Sequence, residues 1–473
     1  MRVLFVANAG WASTGYGIQV KGLLPYLVEQ GHDIAVFAFW GLEGGKVDLP
    51  LDGGDGRVLT HYPRLADPYG NDIVADHARD FGADCVITLM DAWVCDPRVY
   101  QPLNWLAWTP IDQEPIPELV VARLPHMKRV LPYSRWGEGL IRKLGCPCTY
   151  IPHGVDTKVF KPLDAQARVR AKEAFGFEPD TFLVGMVGAN KGFPARKGFP
   201  EAFQAFALLR EKVPQARLYC HSQIASTWGG PNLMQLAEMC GIAPYVRFPD
   251  QYQLAVGLPQ EALALAYNAM DVLLQSSTHE GFGLPMLEAQ ACGTPVVAVD
   301  YASMSELVAP QYGAIRKPLQ KQLTTLMSWA AVPDVQALAR ALHEVAEEPP
   351  GKAERQVLRK FAERYAWPLV AEHYWRPLLD SVAEELGAPS SHDKALHDAV
   401  YAARDAEDRQ VFLEGDRHGC CCGHVVNQLE AMPGPAEEIA NVGRDKLANC
   451  PHREVANELE IWVECLVSET LPA

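Results

Sequence analysis

The sequence predicts an α/β protein made of two doubly wound parallel-sheet halves that face each other across a cleft. Short β-branched runs alternate with helical patterns over most of the 473 residues. Strands that alternate with helices in this way form parallel sheets covered on both faces. The alternation stops in a segment rich in charge and proline, residues 153–179, and then restarts. Ligands of such sheets bind at the carboxyl ends of the strands, so we expect a ligand in the cleft between the halves.

The first half, residues 1–160, is predicted to form one sheet with helices between its strands. Gly31 ends the first helix, and β-branched and aromatic residues mark the strands that follow. The predicted strands are residues 3–7, 34–39, 85–89, 105–109, 129–132 and 149–151, and the predicted helices are residues 17–30, 72–81 and 136–144.

The second half, residues 175–360, repeats the alternation, and the remaining tail, residues 388–473, does not. The tail has few strand signals and predicts helices or partial disorder. In the second half, the predicted strands are residues 182–187, 217–220, 246–248, 272–275 and 295–299, and the predicted helices are residues 200–212, 233–240, 260–270 and 285–292.

Composition and charge exclude some classes of function. The net charge of −16 opposes general binding to nucleic acids or anionic membranes. The N-terminus shows no signal-peptide pattern, and no apolar run reaches the roughly 18 residues that a transmembrane helix needs. The twelve cysteines form no paired framework, which fits reduced thiols. We therefore expect a soluble, cytoplasmic protein.

The stretch HEGFGLPMLEAQACGTPVV, residues 279–297, predicts a binding turn at the end of a strand. Gly281 and Gly283 let the backbone approach a ligand closely. Pro285 suits the first turn of a helix and Gly293 suits its C-terminal end. The amides of residues 282–284, backed by the positive end of the helix dipole, would then form an anion site that suits a phosphate.

Two carboxylates, Glu280 and Glu288, flank this predicted phosphate site. They would repel an anion unless they face hydroxyl groups, and sugar and ribose hydroxyls are good donors to charged acceptors. A phosphate flanked by two hydroxyl-binding carboxylates describes a nucleotide sugar. The alternative is a capped helix in which Glu288 only interacts with the dipole, although capping needs only one polar oxygen.

The segment EGFGLPMLEAQACGTPVVA resembles the E-x7-E signature of retaining GT-B glycosyltransferases of the family 4 type. The upstream YNAMDVLLQSST, the interdomain IPHGVDTKVFKP and the segment FAERYAWPLVAEHYWRPLL also resemble that family, so the similarity covers roughly residues 1–385. The resemblance implies two Rossmann-like domains, with a helix at residues 361–382 that returns to the first domain. It also implies transfer of a sugar from a nucleotide-diphosphate donor with retention of configuration, and it implies no metal or other cofactor.

The resemblance assigns roles to residues of the second half. Glu280 would hold a hydroxyl of the transferred sugar, Glu288 would hold the ribose, and the backbone of Gly281, Phe282, Gly283 and Leu284 would serve the sugar and the β-phosphate. Lys197 matches the Lys-Gly of the family's diphosphate site, although a solvated basic loop is the alternative interpretation.

The second diphosphate-binding cation is open. The family usually places an arginine directly after the strand glycine, where this chain has Ala189 and Asn190, so either Lys191 or Arg196 must substitute. From the first half, Gly15 resembles the glycine that approaches the diphosphate across the cleft, although a simple helix-entry turn also explains it.

The acceptor side is less defined. Asp112 follows a predicted strand, in WTPIDQEPIP, where many relatives carry a histidine. It could accept a hydrogen bond from the acceptor hydroxyl, or it could only stabilise a turn. Tyr16, Asp91 and Trp93 are further acceptor-site candidates, and His153 is more often structural in such a turn.

The tail contains a Cys/His-rich pattern whose role the sequence leaves open. Two Cys-x-His pairs could bind zinc, but their spacing lacks the usual gap between paired ligands, and reduced thiols are the simpler interpretation. The candidate ligands are Cys422, His424, Cys450 and His452.

The sequence thus predicts a retaining, metal-independent hexosyltransferase that uses a nucleotide-sugar donor and an unidentified acceptor, which could be a glycan, a lipid or a small molecule. The base of the donor is open between uridine and guanosine. One alternative is a GT-B epimerase or phosphorylase. Another is a non-catalytic nucleotide-sugar binder or scaffold protein.

Overall fold

Two separate parallel sheets organise the chain. The computed structural model describes residues 1–51, 56–226 and 228–387, and Met1–Ala383 forms one compact unit. The strands are β1 (Arg2–Asn8), β2 (Asp33–Trp40), β3 (Val47–Pro50), β4 (Val58–Tyr62), β5 (Cys85–Leu89), β6 (Trp105–Thr109), β7 (Arg129–Pro132), β8 (Leu183–Val187), β9 (Arg217–His221), β10 (Val246–Arg247), β11 (Val272–Gln275), β12 (Val296–Val299), β13 (Ala314–Arg316), β14 (Gln320–Leu323) and β15 (Trp329–Val332).

The first sheet has seven strands in the order β3-β4-β2-β1-β5-β6-β7. All neighbours pair parallel except β3, which pairs antiparallel with β4 at the edge. Residues 3–7 of β1 are fully buried, as expected for a central parallel strand that helices cover on both faces.

The second sheet has six parallel strands in the order β10-β9-β8-β11-β12-β13, and β14 and β15 form a separate antiparallel hairpin. The helices of the chain are α1 (Gly15–Glu29), α2 (Val74–Phe81), α3 (Pro97–Tyr100), α4 (Glu118–Val121), α5 (Arg135–Lys143), α6 (Ala165–Ala174), α7 (Phe199–Lys212), α8 (Leu233–Met239), α9 (Gln251–Val256), α10 (Gln260–Ala269), α11 (Leu284–Ala291), α12 (Met304–Leu307), α13 (Val335–Glu347), α14 (Lys352–Glu363), α15 (Trp367–Val370) and α16 (Arg376–Leu386). In the described ranges, none of these helices has the length and apolar content that crossing a bilayer requires.

The strand order of each sheet reverses at one point, and that point is where ligands of open α/β sheets bind. In the first sheet the reversal lies between β1 and β5, and in the second it lies between β8 and β11. The segments that leave these strands at their carboxyl ends therefore lie at the two crevices. They contain most of the site residues that the sequence predicts.

The C-terminal helices of the unit bring the chain back to the first half. The backbone N–H of Val155, in the linker between the halves, donates to the carbonyl of Tyr365 at 2.8 Å. Further along, Trp375 is fully buried, and its ring lies 5.9 Å from that of Phe5 in β1 and 4.9 Å from that of Trp108 in β6. A π-helical segment, Ala371–Trp375, joins α15 to α16 at this point.

The predicted strands and helices are confirmed with boundary shifts of one or two residues, except at residues 149–151. Residues 149–151 were predicted as a strand. They follow the edge of β7 through two backbone hydrogen bonds, from Thr149 to Val130 and from Ile151 to Pro132, which is too irregular for a strand. The sequence prediction also lacks strands β3, β4, β13, β14 and β15 and helices α3, α4, α6, α9, α12, α13 and α14. The exposed strands β3 and β14 carry no continuous apolar run.

Replacing Trp375 with alanine should destabilise the chain, because it opens a large cavity between the returning helix and the first sheet. The expected loss is about 3–5 kcal/mol, measured as a fall in thermal midpoint in a differential scanning experiment. Leu369→Ala, which removes a half-exposed side chain of α15, is the control and should shift the midpoint by a small fraction of that amount. An unchanged midpoint in Trp375→Ala would show that this helix does not hold the first sheet.

Candidate active site

Glu280 lies at the centre of a buried ion-pair cluster beyond the end of β11. Its Oε1 accepts hydrogen bonds from Nζ of Lys197 at 2.5 Å, Oγ of Ser277 at 2.6 Å and Nε2 of Gln275 at 3.0 Å. Its Oε2 accepts a hydrogen bond from a guanidinium nitrogen of Arg196 at 3.0 Å. Oε1 is thus shared by three donors, whereas Oε2 accepts one hydrogen bond from the described residues, so Oε2 is the oxygen with a lone pair available for a further donor.

The charges of this cluster determine its protonation. Burial alone would raise the pKa of Glu280, but Lys197 and Arg196 outweigh it and hold that pKa well below its usual range. The Glu280 carboxylate in turn raises the pKa of Arg196. Burial lowers the pKa of Lys197, against the opposing effect of Glu280. Two cations therefore face one carboxylate, and the cluster has an excess of positive charge that suits an anionic ligand.

The turn between Glu280 and α11 has the geometry of an anion site. Gly283 adopts φ 114°, and a Cβ there would lie 2.4 Å from Cε of Met286, so only glycine fits. Among the described residues, none accepts a hydrogen bond from the backbone amides of residues 282–284. Oγ of Ser303 lies 2.8 Å from the carbonyl of Glu280 and 2.5 Å from that of Phe282, and so fixes the turn from behind.

The first half approaches this turn closely. A Cβ on Gly281 would lie 2.5 Å from Cβ of Pro110, which follows β6, and a Cβ on Gly15 would lie 4.0 Å from a methyl carbon of Leu284. Gly15 begins α1 beside the end of β1. Gly281 therefore lets segments from opposite halves meet beside the anion site, whereas a Cβ on Gly15 would make only an ordinary van der Waals contact.

Glu288 lies one helical turn inside α11 and differs from Glu280 in its surroundings. Its side chain is buried, and Oε2 accepts a hydrogen bond from the hydroxyl of Tyr267 at 2.8 Å. Burial raises the pKa of Glu288 to about 7, and the Tyr267 hydrogen bond opposes that shift only in part. The motif thus contains two glutamates whose pKa values are shifted in opposite directions.

Asp112 meets the second half across the cleft. Its Oδ2 lies 3.8 Å from Nε2 of His279, and Nε2 of the neighbouring Gln113 lies 3.3 Å from the same ring nitrogen. Burial lowers the pKa of His279 to about 3, so the ring is neutral and the contact with Asp112 is not an ion pair. Burial, against the attraction of Arg196, raises the pKa of Asp112 to about 6.

The other acceptor-side candidates lie near Asp112. Asp91 is exposed to solvent by its surface area, and desolvation by the surrounding protein together with the charge of Asp112 raises its pKa. Tyr16 forms a side-chain hydrogen bond with Tyr133, and burial raises its pKa. Trp93 follows Asp91 in a short 3-10 turn and is 44% exposed.

The two candidates for the second cation lie in different surroundings. Arg196 belongs to the Glu280 cluster, whereas Lys191 is exposed and its Nζ lies 5.1 Å from the ring centroid of Trp228. The sequence analysis did not identify five residues that contact the two glutamates or their neighbours. Gln275, Ser277, His279 and Ser303 contact Glu280 or Arg196, and Tyr267 contacts Glu288. Only the polar run after the strand, QSSTHE, could have indicated some of them.

His153 is buried and neutral, because burial lowers its pKa to about 3. Its ring lies 5.1 Å from that of Phe282, so it packs behind the anion turn. The zinc-site candidates of the tail lie outside the described residues. Among residues 1–51, 56–226 and 228–387, no group of three or more His, Cys, Asp and Glu side chains could hold a metal ion.

Comparison with known proteins places these features in a family. Residues 181–348 match the family described as glycosyl transferases group 1. The chain is 36% identical to a D-inositol 3-phosphate glycosyltransferase of Corynebacterium jeikeium over 157 residues, which are 32% of this chain and 35% of that protein. It is 31% identical to the protein of that name from Corynebacterium urealyticum over 224 residues, which are 46% of this chain and 48% of that one. The chain thus spans between a third and a half of the length of these curated relatives.

Solved structures resemble the fold over most of the chain. Sucrose-phosphate synthase from Thermosynechococcus elongatus superposes with a TM-score of 0.64 at 19% identity, over 82% of this chain and 99% of that one. The Anabaena protein HepE in complex with UDP-glucose superposes with a TM-score of 0.56 at 16% identity, over 82% and 100% of the two chains.

Two facing parallel sheets with an anion turn at their junction define the GT-B class. Within it, the second half, residues 181–348, is similar to the glycosyl transferases group 1, and this match includes the E-x7-E segment from Glu280 to Glu288.

The two glutamates should respond oppositely to replacement by glutamine. As pH rises from 4.5 through the raised pKa of about 7, the free energy of unfolding of the wild type falls, because the unfolded chain ionises Glu288 more readily than the folded one. Glu288→Gln cannot ionise and should be more stable than the wild type at pH 8, by up to about 3 kcal/mol. That advantage should vanish at pH 5. Glu280→Gln leaves the Lys197 and Arg196 charges without their carboxylate and should lose on the order of 3 kcal/mol at both pH values.

Thermal unfolding of the two variants at pH 5 and pH 8 measures these differences, and each variant serves as the control for the other. Equal shifts of the same sign in both variants would contradict the assignment of opposite environments.

Proposed function

We propose that the chain transfers a sugar from a nucleoside-diphosphate sugar to an acceptor hydroxyl, with retention of anomeric configuration. One observation supports this most directly: two cations, Lys197 and Arg196, contact Glu280 at the end of β11, and the amides of residues 282–284, which have no partner among the described residues, follow it directly in the chain. The cations and amides suit a diphosphate, and the carboxylate suits a sugar hydroxyl.

In this proposal the donor lies along α11. The diphosphate binds the amides at the start of the helix and the Lys197 ammonium, and Arg196 supplies the second positive charge. The nucleoside ribose donates a hydrogen bond to Glu288, which is oriented by Tyr267. The remaining acceptor position of Glu280 Oε2 takes a hydroxyl of the transferred sugar.

The proposed reaction breaks the bond between the anomeric carbon and the β-phosphate oxygen and forms a bond from that carbon to the acceptor oxygen. The electron pair of the broken bond stays on the diphosphate, where fixed cations stabilise the developing charge. The acceptor oxygen attacks the anomeric carbon on the same face that the diphosphate leaves, and this retains the configuration. The acceptor proton passes to a β-phosphate oxygen on that face. Residues of the protein supply the stabilising charge, so we expect no need for a metal ion.

The first half supplies the acceptor side. Asp112 and Asp91 open to the cleft beside the Glu280 cluster, and either carboxylate can accept a hydrogen bond from an acceptor hydroxyl. The relatives named above are D-inositol 3-phosphate glycosyltransferases, and HepE was solved with UDP-glucose. We infer from these a nucleotide-sugar donor, with uridine as the first base to test.

A GT-B epimerase or phosphorylase, or a non-catalytic nucleotide-sugar binder, would use the same donor contacts. Product analysis separates them, because only a transferase forms a new glycoside as nucleoside diphosphate is released. We also infer a cytoplasmic location, since the seven described cysteines are free thiols.

A panel of UDP-, GDP- and ADP-sugars measured by calorimetry should give one saturable donor, and Lys197→Ala should weaken its binding roughly 10- to 100-fold. Lys212→Ala is the matched control, because it removes an exposed lysine at the far end of α7 from Lys197. Arg196→Ala should weaken binding more than Lys191→Ala. The proposal fails if Lys197→Ala binds the donor as tightly as Lys212→Ala does.

The rate of transfer should rise with pH through about 6 if Asp112 acts as an ionised hydrogen-bond acceptor. Its pKa is raised to about 6, so it is protonated below that pH and ionised above it. In Asp112→Asn, the rate at pH 8 should fall and the rise near pH 6 should flatten. The measurement is kcat between pH 5 and pH 8 at saturating substrates, with Asp91→Asn as the comparison. A full rise that persists in Asp112→Asn would remove Asp112 from the reaction.

A further inference from the structure

Three half-exposed tryptophans lie together at the opening of the cleft. Trp11, Trp40 and Trp228, here called the tryptophan platform, are 49%, 45% and 55% exposed. The rings of Trp40 and Trp228 lie 6.3 Å apart between centroids and join the two halves. Nε1 of Trp11 donates to the carbonyl of Gly41, next to Trp40, at 3.0 Å. Large exposed apolar groups in contact with one another are typical of binding surfaces.

The platform is attached firmly to the segment that carries the site cations. The backbone N–H of Gly192 donates to the carbonyl of Trp228 at 2.9 Å. Nδ2 of Asn190 donates to the carbonyls of Gln223 and Pro231 at 3.1 and 2.7 Å. The loop that carries Trp228 is therefore hydrogen-bonded to Asn190 and Gly192. The same segment continues to Lys197, and so links the platform to the Glu280 cluster.

The strand order of the first sheet gives the distance from the platform to the proposed reaction site. Trp40 ends β2 and Asp112 follows β6, and the order β2-β1-β5-β6 separates their strands by three spacings. At about 4.8 Å per spacing, the separation is about 14 Å. An acceptor that reaches both Asp112 and Trp40 is therefore longer than one sugar ring.

The charge of the intervening turns indicates a neutral ligand. Residues 8–16, 38–42, 90–96 and 109–117 contain no lysine, arginine or histidine, but they contain Asp91, Asp96, Asp112 and Glu114. Outside these turns, Arg64 is paired with Glu43 and Arg98 with Asp96, and Lys191 lies against the platform itself, with Nζ 5.1 Å from the ring centroid of Trp228. Along the turns between the platform and Asp112, a phosphorylated acceptor would meet carboxylates, whereas hydroxyl groups would meet hydrogen-bond acceptors.

We propose that the acceptor is a neutral glycan of at least two sugar rings, with its reacting hydroxyl at Asp112 and a distal ring stacked on the tryptophan platform. The apolar faces of sugar rings suit indole surfaces, and their hydroxyl groups suit the acidic turns between. This inference rests on the proposed function and defines the acceptor class that the site accepts.

This inference is tested with a glycan array that carries neutral and phosphorylated glycans. The array is probed with the fluorescently labelled full chain in the presence of saturating nucleoside diphosphate. We expect signal on neutral oligosaccharides and not on the corresponding monosaccharides. Trp40→Ala and Trp228→Ala should weaken that binding about 3- to 10-fold. With the best glycan as acceptor, the same variants should raise its KM by a similar factor and leave kcat within about twofold.

Trp329→Ala is the matched control, because it removes a comparably exposed indole from the hairpin β14–β15, and it should bind as the wild type does. Trp40→Phe should recover most of the binding that Trp40→Ala loses. Calorimetry of the donor with each variant separates the two proposals. Any one of three results would overturn this inference: signal confined to phosphorylated glycans, no glycan signal while donor binding is intact, or wild-type binding by both alanine variants. Loss of donor binding by the wild type would instead overturn the proposed function, and this inference with it.

Discussion

The buried carboxylate of Glu280 is the interaction on which the rest of the site depends. It holds Lys197 and Arg196, which follow β8, against the segment that follows β11. The backbone is constrained at the same place, because Gly198 adopts φ 63° and a Cβ there would lie 2.0 Å from the carbonyl oxygen of Ser276. The backbone N–H of Thr278 also donates to the carbonyl of Arg196 at 2.8 Å. Charge and backbone contact thus fix the two segments at the reversal point of the second sheet.

Burying this cluster has an energetic cost that an anionic ligand reduces. Desolvation opposes the charged forms of both Glu280 and Lys197, and removing one partner of a buried pair leaves an uncompensated charge. The excess positive charge is balanced only in part by Asp112 across the cleft, whose pKa of about 6 makes it partly protonated near neutral pH. In the proposed function, a diphosphate beside Lys197 would add negative charge to this cluster, and this favours its binding there.

The fold was predictable because buried parallel strands have a strong signal, and the site was predictable only where a motif fixes backbone geometry. The run from Val3 to Ala7 is apolar on both faces, as a central strand requires. The Gly-Phe-Gly-Leu-Pro motif specifies the backbone of its turn, so the predicted position of the amides at the start of α11 follows from the motif alone. The opposite environments of Glu280 and Glu288 were not predictable, because they arise from Lys197, which lies 83 residues from Glu280 in sequence, and from the burial of Glu288. Strands β3 and β14 were missed because exposure gives them mixed polarity.

The division of the site between the halves links its chemistry to their relative position. The cations and amides belong to the second half, whereas Asp112 and Gly15 belong to the first. The halves meet through contacts such as the Trp329 N–H with the carbonyl of Glu114 at 2.9 Å and the Arg135 N–H with the carboxylate of Glu306 at 2.9 Å. In the proposed function, contacts of this kind would have to open to admit a donor. Their approach would then exclude water from the anion turn and bring Asp112 beside Glu280, which strengthens every charged contact there.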